Sequence, residues 1–310
     1  MSDKKYPIVL DDVVLDFPFH NAGKTTIQKQ FLSLFKSQNK KWFRALSGID
    51  LKIKKGSVVG IIGDNGAGKS TLLRVIGGIY EPDRGNISVL TKRLQWRGYP
   101  SSVTNVGIGD KFSPDDFDLC YLGGGQDKDQ NLIAFDLAEK APAIRSAADD
   151  GVSFLWVCGG IQLAGKRYVD ASGSELLGVG ILDLETIAGT ERLIGDIAIR
   201  SSVDGREFTV VGYENHIGQT YLGSDSRPLG KVLHGYGNNS FDQVEGAVQQ
   251  RVIGTYLHGP LLPKNPDLAD LILTWALEHR ISESVSLEKL DDNFAVNAHK
   301  RAVSRAGLKR

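Results

Sequence analysis

Short apolar runs without polar alternation punctuate the chain. Ser57 to Ile62, Phe117 to Leu122 and Ser153 to Val157 each read as a strand of the parallel, buried type. Between them the spacing turns helical. Ile87, Leu90 and Leu94 fall on one helical face that ends at Arg97-Gly98, and Asn131 to Ala148 reads as a second helix. A further strand is expected near Ser102–Val106, and Pro114-Asp115-Asp116 reads as a turn. Strands alternating with helices predict the α/β class with a doubly wound, mostly parallel sheet. The pattern changes character near Asp83, which divides the chain into residues 1–84 and 85–310.

At 310 residues and 33.7 kDa the chain has room for one large domain or two modest ones. Hydrophobic residues at 41% and charged residues at 24% are ordinary for a folded protein. Lys and Arg total 37, as do Asp and Glu, so no basic field exists to hold nucleic acid. Two cysteines, Cys120 and Cys158, cannot build a disulfide framework and point to a reducing compartment. Met1 to Pro7 lacks the apolar core of a signal peptide, and no apolar stretch is long enough to span a bilayer, so a cytoplasmic protein is expected.

Two segments carry chemistry. The first, Gly63-Asp64-Asn65-Gly66-Ala67-Gly68-Lys69-Ser70, follows the strand Ser57–Ile62 and opens a helical run from Thr71 to Ile79. That is the pattern and context of a phosphate-binding loop. Gly63, Asn65, Gly66 and Gly68 let the backbone wrap a phosphate, Lys69 adds charge, Ser70 can ligate magnesium, and Thr71 continues the nucleotide contact. With Ile8–Pro18, Ala45–Leu51 and Gly78-Ile79-Tyr80-Glu81-Pro82, this front resembles the start of a polysaccharide-export ABC transporter ATP-binding domain. The Walker B carboxylates, the signature loop and the switch histidine of such domains do not follow. The resemblance therefore implies a truncated segment that can hold ATP and magnesium without hydrolysing the nucleotide. His20-Asn21-Ala22-Gly23-Lys24-Thr25-Thr26 echoes the same loop without its first glycine and reads as a surface insertion.

The second segment is Val152 to Leu163. An apolar strand runs into Cys158, which Gly159 and Gly160 follow before a helical pattern begins. This is the layout of a nucleophile elbow, with the sulfur at a tight strand-to-helix turn above a helix start that favours thiolate. Cys120, inside a strand, reads as a core cysteine. Of the six histidines, His258 closes the apolar strand Val252–Leu257 before a Pro-containing loop, where sites of α/β sheets assemble. His216 reads as a loop or structural histidine, and His279 and His299 as solvated. Backbone N–H groups of Gly124 and Gly125, in the turn after Phe117–Leu122, can supply an oxyanion hole.

From about residue 84 onward the chain resembles the cobyric-acid-synthase-like branch of class I glutamine amidotransferases. Within that branch it resembles the glutaminase subunits of lipid II isoglutaminyl synthases. The pieces that carry the resemblance include Arg93–Gly98, Leu122–Asp127, Cys158–Gln162, Gly178–Asp183, Arg192–Asp196, Gly212–His216, Gly235–Asn239 and Gly254–Asn265. The resemblance implies Cys158 as nucleophile, His258 as base and Arg192 and Gln162 as substrate contacts, with no metal and no cofactor for glutamine hydrolysis. It also implies a Mur-ligase-like synthetase partner that takes the ammonia and amidates lipid II, so neither nucleic acid nor a membrane span is expected. A cobyric-acid-type acceptor, an exporter nucleotide-binding module and a non-catalytic interaction protein are the other readings. Two departures stand out. Pro260 occupies the position where many class I enzymes carry an orienting glutamate, which leaves a Cys–His dyad. The family's first strand is replaced by the transporter-like front, and Ser57–Ile62 is expected to take the vacant sheet position.

Overall fold

In the computed structural model, which describes residues 8–18, 42–54, 59, 72, 84–123, 127–259 and 261–308, the strand Ser153–Val157 is buried along its whole length. Its side chains alternate between two cores. Leu155 and Val157 pack with Ile253, Leu268, Ile272 and Trp275, while Phe154 and Trp156 pack with Ala141, Ile144, Ala148 and Val252. A strand covered on both faces has no use for polar alternation, which is why Phe154 to Val157 are all apolar. Each of these large side chains contributes about 1.5–3 kcal/mol on burial.

The chain divides into two units, Met1–Pro82 and Asp83–Arg310. The first contains β1 (Ile8–Pro18) and β2 (Trp42–Ile53), which pair antiparallel from Ile8↔Ile53 to Pro18↔Trp42 with register shifts between. The P-loop, the insertion at His20–Thr26 and all of Ser57–Ile62 except Val59 lie outside the described residues.

The second unit is built on a four-stranded sheet ordered β11-β12-β4-β3, from β3 (Leu119–Leu122), β4 (Ser153–Val157), β11 (Ala247–Gln249) and β12 (Val252–Thr255). β3, β4 and β12 run parallel, with Leu122 opposite Trp156 and Thr255 opposite Val157. The α-helices of this unit among the described residues are α1 (Arg84–Trp96), α2 (Asp127–Asp149), α3 (Gly159–Ala164), α4 (Pro266–Ile281) and α5 (Asn293–Arg305). α4 covers one face of the sheet and α2 the other, which places the unit in the α/β class. Both helices anticipated from residue spacing are present, α1 over its full length and α2 extended toward its start.

A second, six-stranded sheet joins β5 (Arg167–Val169), β6 (Glu175–Leu177), β7 (Leu184–Val203), β8 (Arg206–Leu222), β9 (Gly230–His234) and β10 (Val244–Glu245). Its spine is the β7–β8 hairpin, closed by Asp204 at φ 51° and Gly205 at φ 69°. Two consecutive left-handed residues match the twist of the strands they join.

One expected strand does not form. Ser102–Val106 has no strand pairing, and Val103 is 56% exposed. A strand exists only when a neighbour takes its N–H and C=O groups, and among the described residues the sheet stops at β3.

α1 is fastened by one side chain. The Arg93 guanidinium, almost fully buried, forms a fork with each of two carboxylates: 2.7 and 2.7 Å to Asp270 of α4, and 2.5 and 2.9 Å to Asp292 at the head of α5. Arg97 adds a 2.7 Å bond to Asp270. Arg93→Met keeps the apolar stem, removes the guanidinium from Asp292 and leaves Asp270 with Arg97 alone. Urea unfolding should show a loss of about 2 kcal/mol, the order for hydrogen bonds to charged groups.

Candidate active site

Cys158 ends β4 with φ 55° and ψ −116°, a backbone conformation that residues with a Cβ rarely adopt. The turn lets β4 pass directly into α3 and lifts the side chain at the carboxyl edge of the sheet. Three contacts hold it. Cys158 N–H donates to Thr255 C=O at 2.8 Å across the ladder to β12, and Ile161 N–H donates to Cys158 C=O at 3.1 Å. At Gly160 an added Cβ would stand 2.9 Å from the Leu122 carbonyl, so glycine lets the helix start sit against the end of β3. Cys158 is half-buried, and neither cysteine forms a disulfide. Cys120, in β3, fits its reading as a core thiol, since burial and then Asp118 push its pKa up to about 12.

His258 lies three residues beyond Thr255, so the parallel register brings it to the same sheet edge as Cys158. Its backbone is bridged to β8 by two 3.0 Å hydrogen bonds with Tyr213, one in each direction. The two rings meet edge to face at 5.9 Å. Burial, then the neighbouring His216 and Lys264, hold the His258 pKa down at about 4, against 6.5 ordinarily. The ring is therefore neutral at pH 7, the state a proton acceptor requires. Among the described residues no carboxylate bonds to the His258 ring.

Beside this edge lies a polar interior that residue-by-residue reading of the sequence missed. Glu214, His216, Gly218 and Thr220 alternate on the buried face of β8. Glu214 accepts from the N–H groups of Tyr236 at 2.7 Å and Gly237 at 3.0 Å. His216 is not in a loop. It is a strand residue whose ring stacks on Tyr256 at 3.6 Å and 6°. Glu245 is fully buried, accepting from Tyr256 N–H at 2.7 Å and Thr255 Oγ1 at 2.9 Å. Burial, with Glu214 nearby, pushes its pKa up to about 8. The available signal was the period-two run Glu214-x-His216-x-Gly218-x-Thr220, which marks one face of a strand.

The other anticipated residues are distributed as follows. Gln162 is buried one turn after Cys158 and donates from Nε2 to Tyr256 OH at 3.3 Å. Arg192 is exposed on β7 and donates to Asn215 Oδ1 at 3.1 Å. Asn215 and Tyr213 alternate on the β8 face opposite His216, so Arg192 reaches the strand that also anchors His258. Gly124, Gly125 and Pro260 lie outside the described residues, as do Gly63, Asn65, Gly66, Gly68, Lys69, Ser70 and Thr71. His279 and His299 are not solvated as expected: Nδ1 of His279 pairs with Asp118 at 3.0 Å, and Nδ1 of His299 bonds to the Lys264 carbonyl at 2.9 Å. Asn86 of α1 is buried and spans two elements, donating to Tyr121 OH at 3.1 Å and accepting from Leu262 N–H at 2.9 Å. The helix thereby supports the loop that follows His258.

Known proteins of two kinds resemble parts of this chain. The lipid II isoglutaminyl synthase (glutamine-hydrolyzing) subunit GatD of Staphylococcus aureus (strain N315) is 38% identical over 224 residues, 72% of this chain and 90% of that protein. Its namesake in Streptococcus pneumoniae (strain ATCC BAA-255 / R6) is 37% identical over 211 residues, 68% of this chain and 80% of that protein. The O-antigen export system ATP-binding protein RfbB of Myxococcus xanthus is 40% identical over 127 residues, 37% of this chain and 26% of that protein. Residues 76–266 match the model of the CobB/CobQ-like glutamine amidotransferase domain. With the cysteine elbow and the histidine-bearing strand inside that span, the chain belongs to the CobB/CobQ-like glutamine amidotransferase family.

Proposed function

We propose that this chain is the glutamine-hydrolysing subunit of a lipid II isoglutaminyl synthase, and that Cys158 and His258 carry the hydrolysis. The observation that supports this most strongly is the left-handed turn at Cys158, placed at the edge of a parallel sheet whose next strand leads to a neutral histidine. The similarity to the two GatD subunits supplies the acceptor.

In the proposed cycle His258 takes the proton of Cys158, and the thiolate attacks the side-chain amide carbon of glutamine. Backbone N–H groups of Gly124 and Gly125 receive the oxyanion. The imidazolium returns its proton to the departing nitrogen, the C–N bond breaks, and ammonia leaves a glutamyl thioester on Cys158. His258 next deprotonates water, which attacks the thioester, and glutamate leaves as the proton returns to sulfur. Arg192 and Gln162 hold the substrate. Ammonia passes to a Mur-ligase-like synthetase, which uses ATP to amidate the D-glutamate α-carboxyl of lipid II. The pair works as a dyad, with any orienting carboxylate brought by that partner. Two cysteines outside any disulfide favour a cytoplasmic site for the reaction. We assign residues 1–84 to a partial ABC-type segment and 85–310 to the amidotransferase domain. No step runs through the nucleotide loop.

Cys158→Ser should abolish glutamine hydrolysis in the chain purified with its synthetase partner. Retained ammonia release would refute the assignment, and co-purification with a corrinoid synthetase would move the acceptor to the cobyric-acid class.

The depressed His258 pKa fixes the sign of the pH response. The imidazole stays in its base form until the pH approaches about 4, so kcat/KM should hold from pH 7 to about 5 and fall below that. Lys264→Met removes one of the charges that lower the pKa and should move the acid limb upward. An acid limb at 6.5 in the wild type would contradict this assignment of the base.

Substituting each carboxylate near His258 in turn, Glu214 and Glu245 included, tests the dyad. Hydrolysis by the folded variants within the complex is expected to persist. One intrachain carboxylate essential in the chain alone would overturn it.

A further inference from the structure

Tyr256 stands between the two halves of the site without belonging to either. It lies two residues before His258, and its backbone N–H is held by Glu245. Its hydroxyl accepts from Gln162 Nε2, on the helix that Cys158 opens, at 3.3 Å. The same hydroxyl shares a hydrogen with Thr220 Oγ1 at 2.8 Å, and Thr220 shares one with Thr186 Oγ1 at 2.7 Å. A buried chain of hydroxyls thus runs from α3 through the segment between β12 and His258 into the β7–β8 hairpin.

The ring is held as firmly as its hydroxyl. His216 lies flat against it, with Nδ1 donating to the Gly218 carbonyl at 2.7 Å. The other ring nitrogen, Nε2, is buried and makes no hydrogen bond among the described residues; its nearest carboxylate oxygen, on Glu214, is 3.8 Å away. A buried nitrogen without a partner costs of order 1–3 kcal/mol. The stack on Tyr256 is what this position gains against that cost. Gly218 leaves the necessary space, because a Cβ there would collide with Gln162 Nε2 and Tyr256 OH.

We infer that Tyr256, clamped by His216 and Thr220, is a positioning residue that fixes the nucleophile-bearing helix α3 against the strand that delivers the base. The inference rests on the reading of Cys158 and His258 as the reacting pair. It adds a role within the chain for three residues to which the proposed cycle assigns no bond and no proton. Small displacements of reacting groups cost up to about a hundred-fold in rate, so the hydroxyl should matter to turnover although it takes no part in the chemistry.

The test uses the 310-residue chain with its synthetase partner. Tyr256→Phe keeps the stacked ring and removes only the hydroxyl. kcat for glutamine hydrolysis should fall about ten- to hundred-fold with KM within about twofold. Thr220→Val, a smaller change that keeps the test available if Tyr256→Phe does not fold, should lower kcat in the same direction. The double variant should be no worse than Tyr256→Phe alone, because both act through one bonded chain. His216→Phe, which retains a ring on Tyr256, should keep more activity than His216→Ala. A second readout needs no glutamine: the rate of iodoacetamide alkylation at Cys158, followed on its own peptide by mass spectrometry, should differ from wild type in both single variants. Wild-type kcat and alkylation rate in a folded Tyr256→Phe protein, or strictly additive effects in the double variant, overturn the positioning role. A wild-type chain that fails to hydrolyse glutamine, while Tyr256→Phe still alters Cys158 alkylation, overturns the glutaminase reading and leaves the positioning role standing.

Discussion

A residue with a Cβ held at φ 55° and ψ −116° costs of order 1–3 kcal/mol, and it persists only where its surroundings leave no alternative. At Cys158 the surroundings are the parallel ladder. β12 takes the Cys158 N–H, β3 ends with its Leu122 carbonyl against Gly160, and the fully buried β4 cannot shift register without turning its two cores inside out. The strain at one residue is thus balanced by the burial of four apolar side chains, Phe154 to Val157. That coupling lets a single sulfur stand at the sheet edge on a backbone that will not relax.

The helices and hairpin around the sheet extend the same logic. Arg93 ties α1 to α4 and the start of α5, and Asn86 of α1 supports the loop after His258. Tyr213 pins the His258 backbone from β8. The base is therefore positioned by elements distant in sequence from one another: a helix near residue 86, a hairpin strand near 213 and its own strand. Such an arrangement is stiff because its supports are hydrogen bonds wholly or partly withdrawn from water, where leaving one unmade is costly.

Electrostatics in this interior are set by crowding. Glu214, Glu245, His216 and His258 are near enough to act on one another: besides burial, Glu214 raises the Glu245 pKa, His216 lowers that of His258, and a Glu214 oxygen lies 3.8 Å from the His216 ring. Burial is the largest influence on both shifted groups: Glu245 is pushed up and His258 down, each toward its neutral form. Neutrality suits the two differently. For Glu245 it lowers the burden of a buried carboxylate beside Glu214. For His258 it preserves a lone pair.

Local pattern was enough to read α1, α2 and β4, because each follows from spacing or from a solid apolar run, and enough to place Cys158 at a strand-to-helix turn. The Asp204-Gly205 pair that closes the β7–β8 hairpin was also legible as a turn, although the sequence reading did not use it. Ser102–Val106 misled because strand propensity is local while pairing is not, and no neighbour presents itself among the described residues. His279 and His299 misled for a related reason, as did the loop alternative for His216, whose structural alternative fits: the partners Asp118, Lys264 and Tyr256 lie 161, 35 and 40 residues away along the chain. The sequence by itself determined which side chains were available and which short segments they favoured. Only the tertiary structure decided which of them meet, since burial and hydrogen-bond partners are set by contacts between segments that no local pattern encodes.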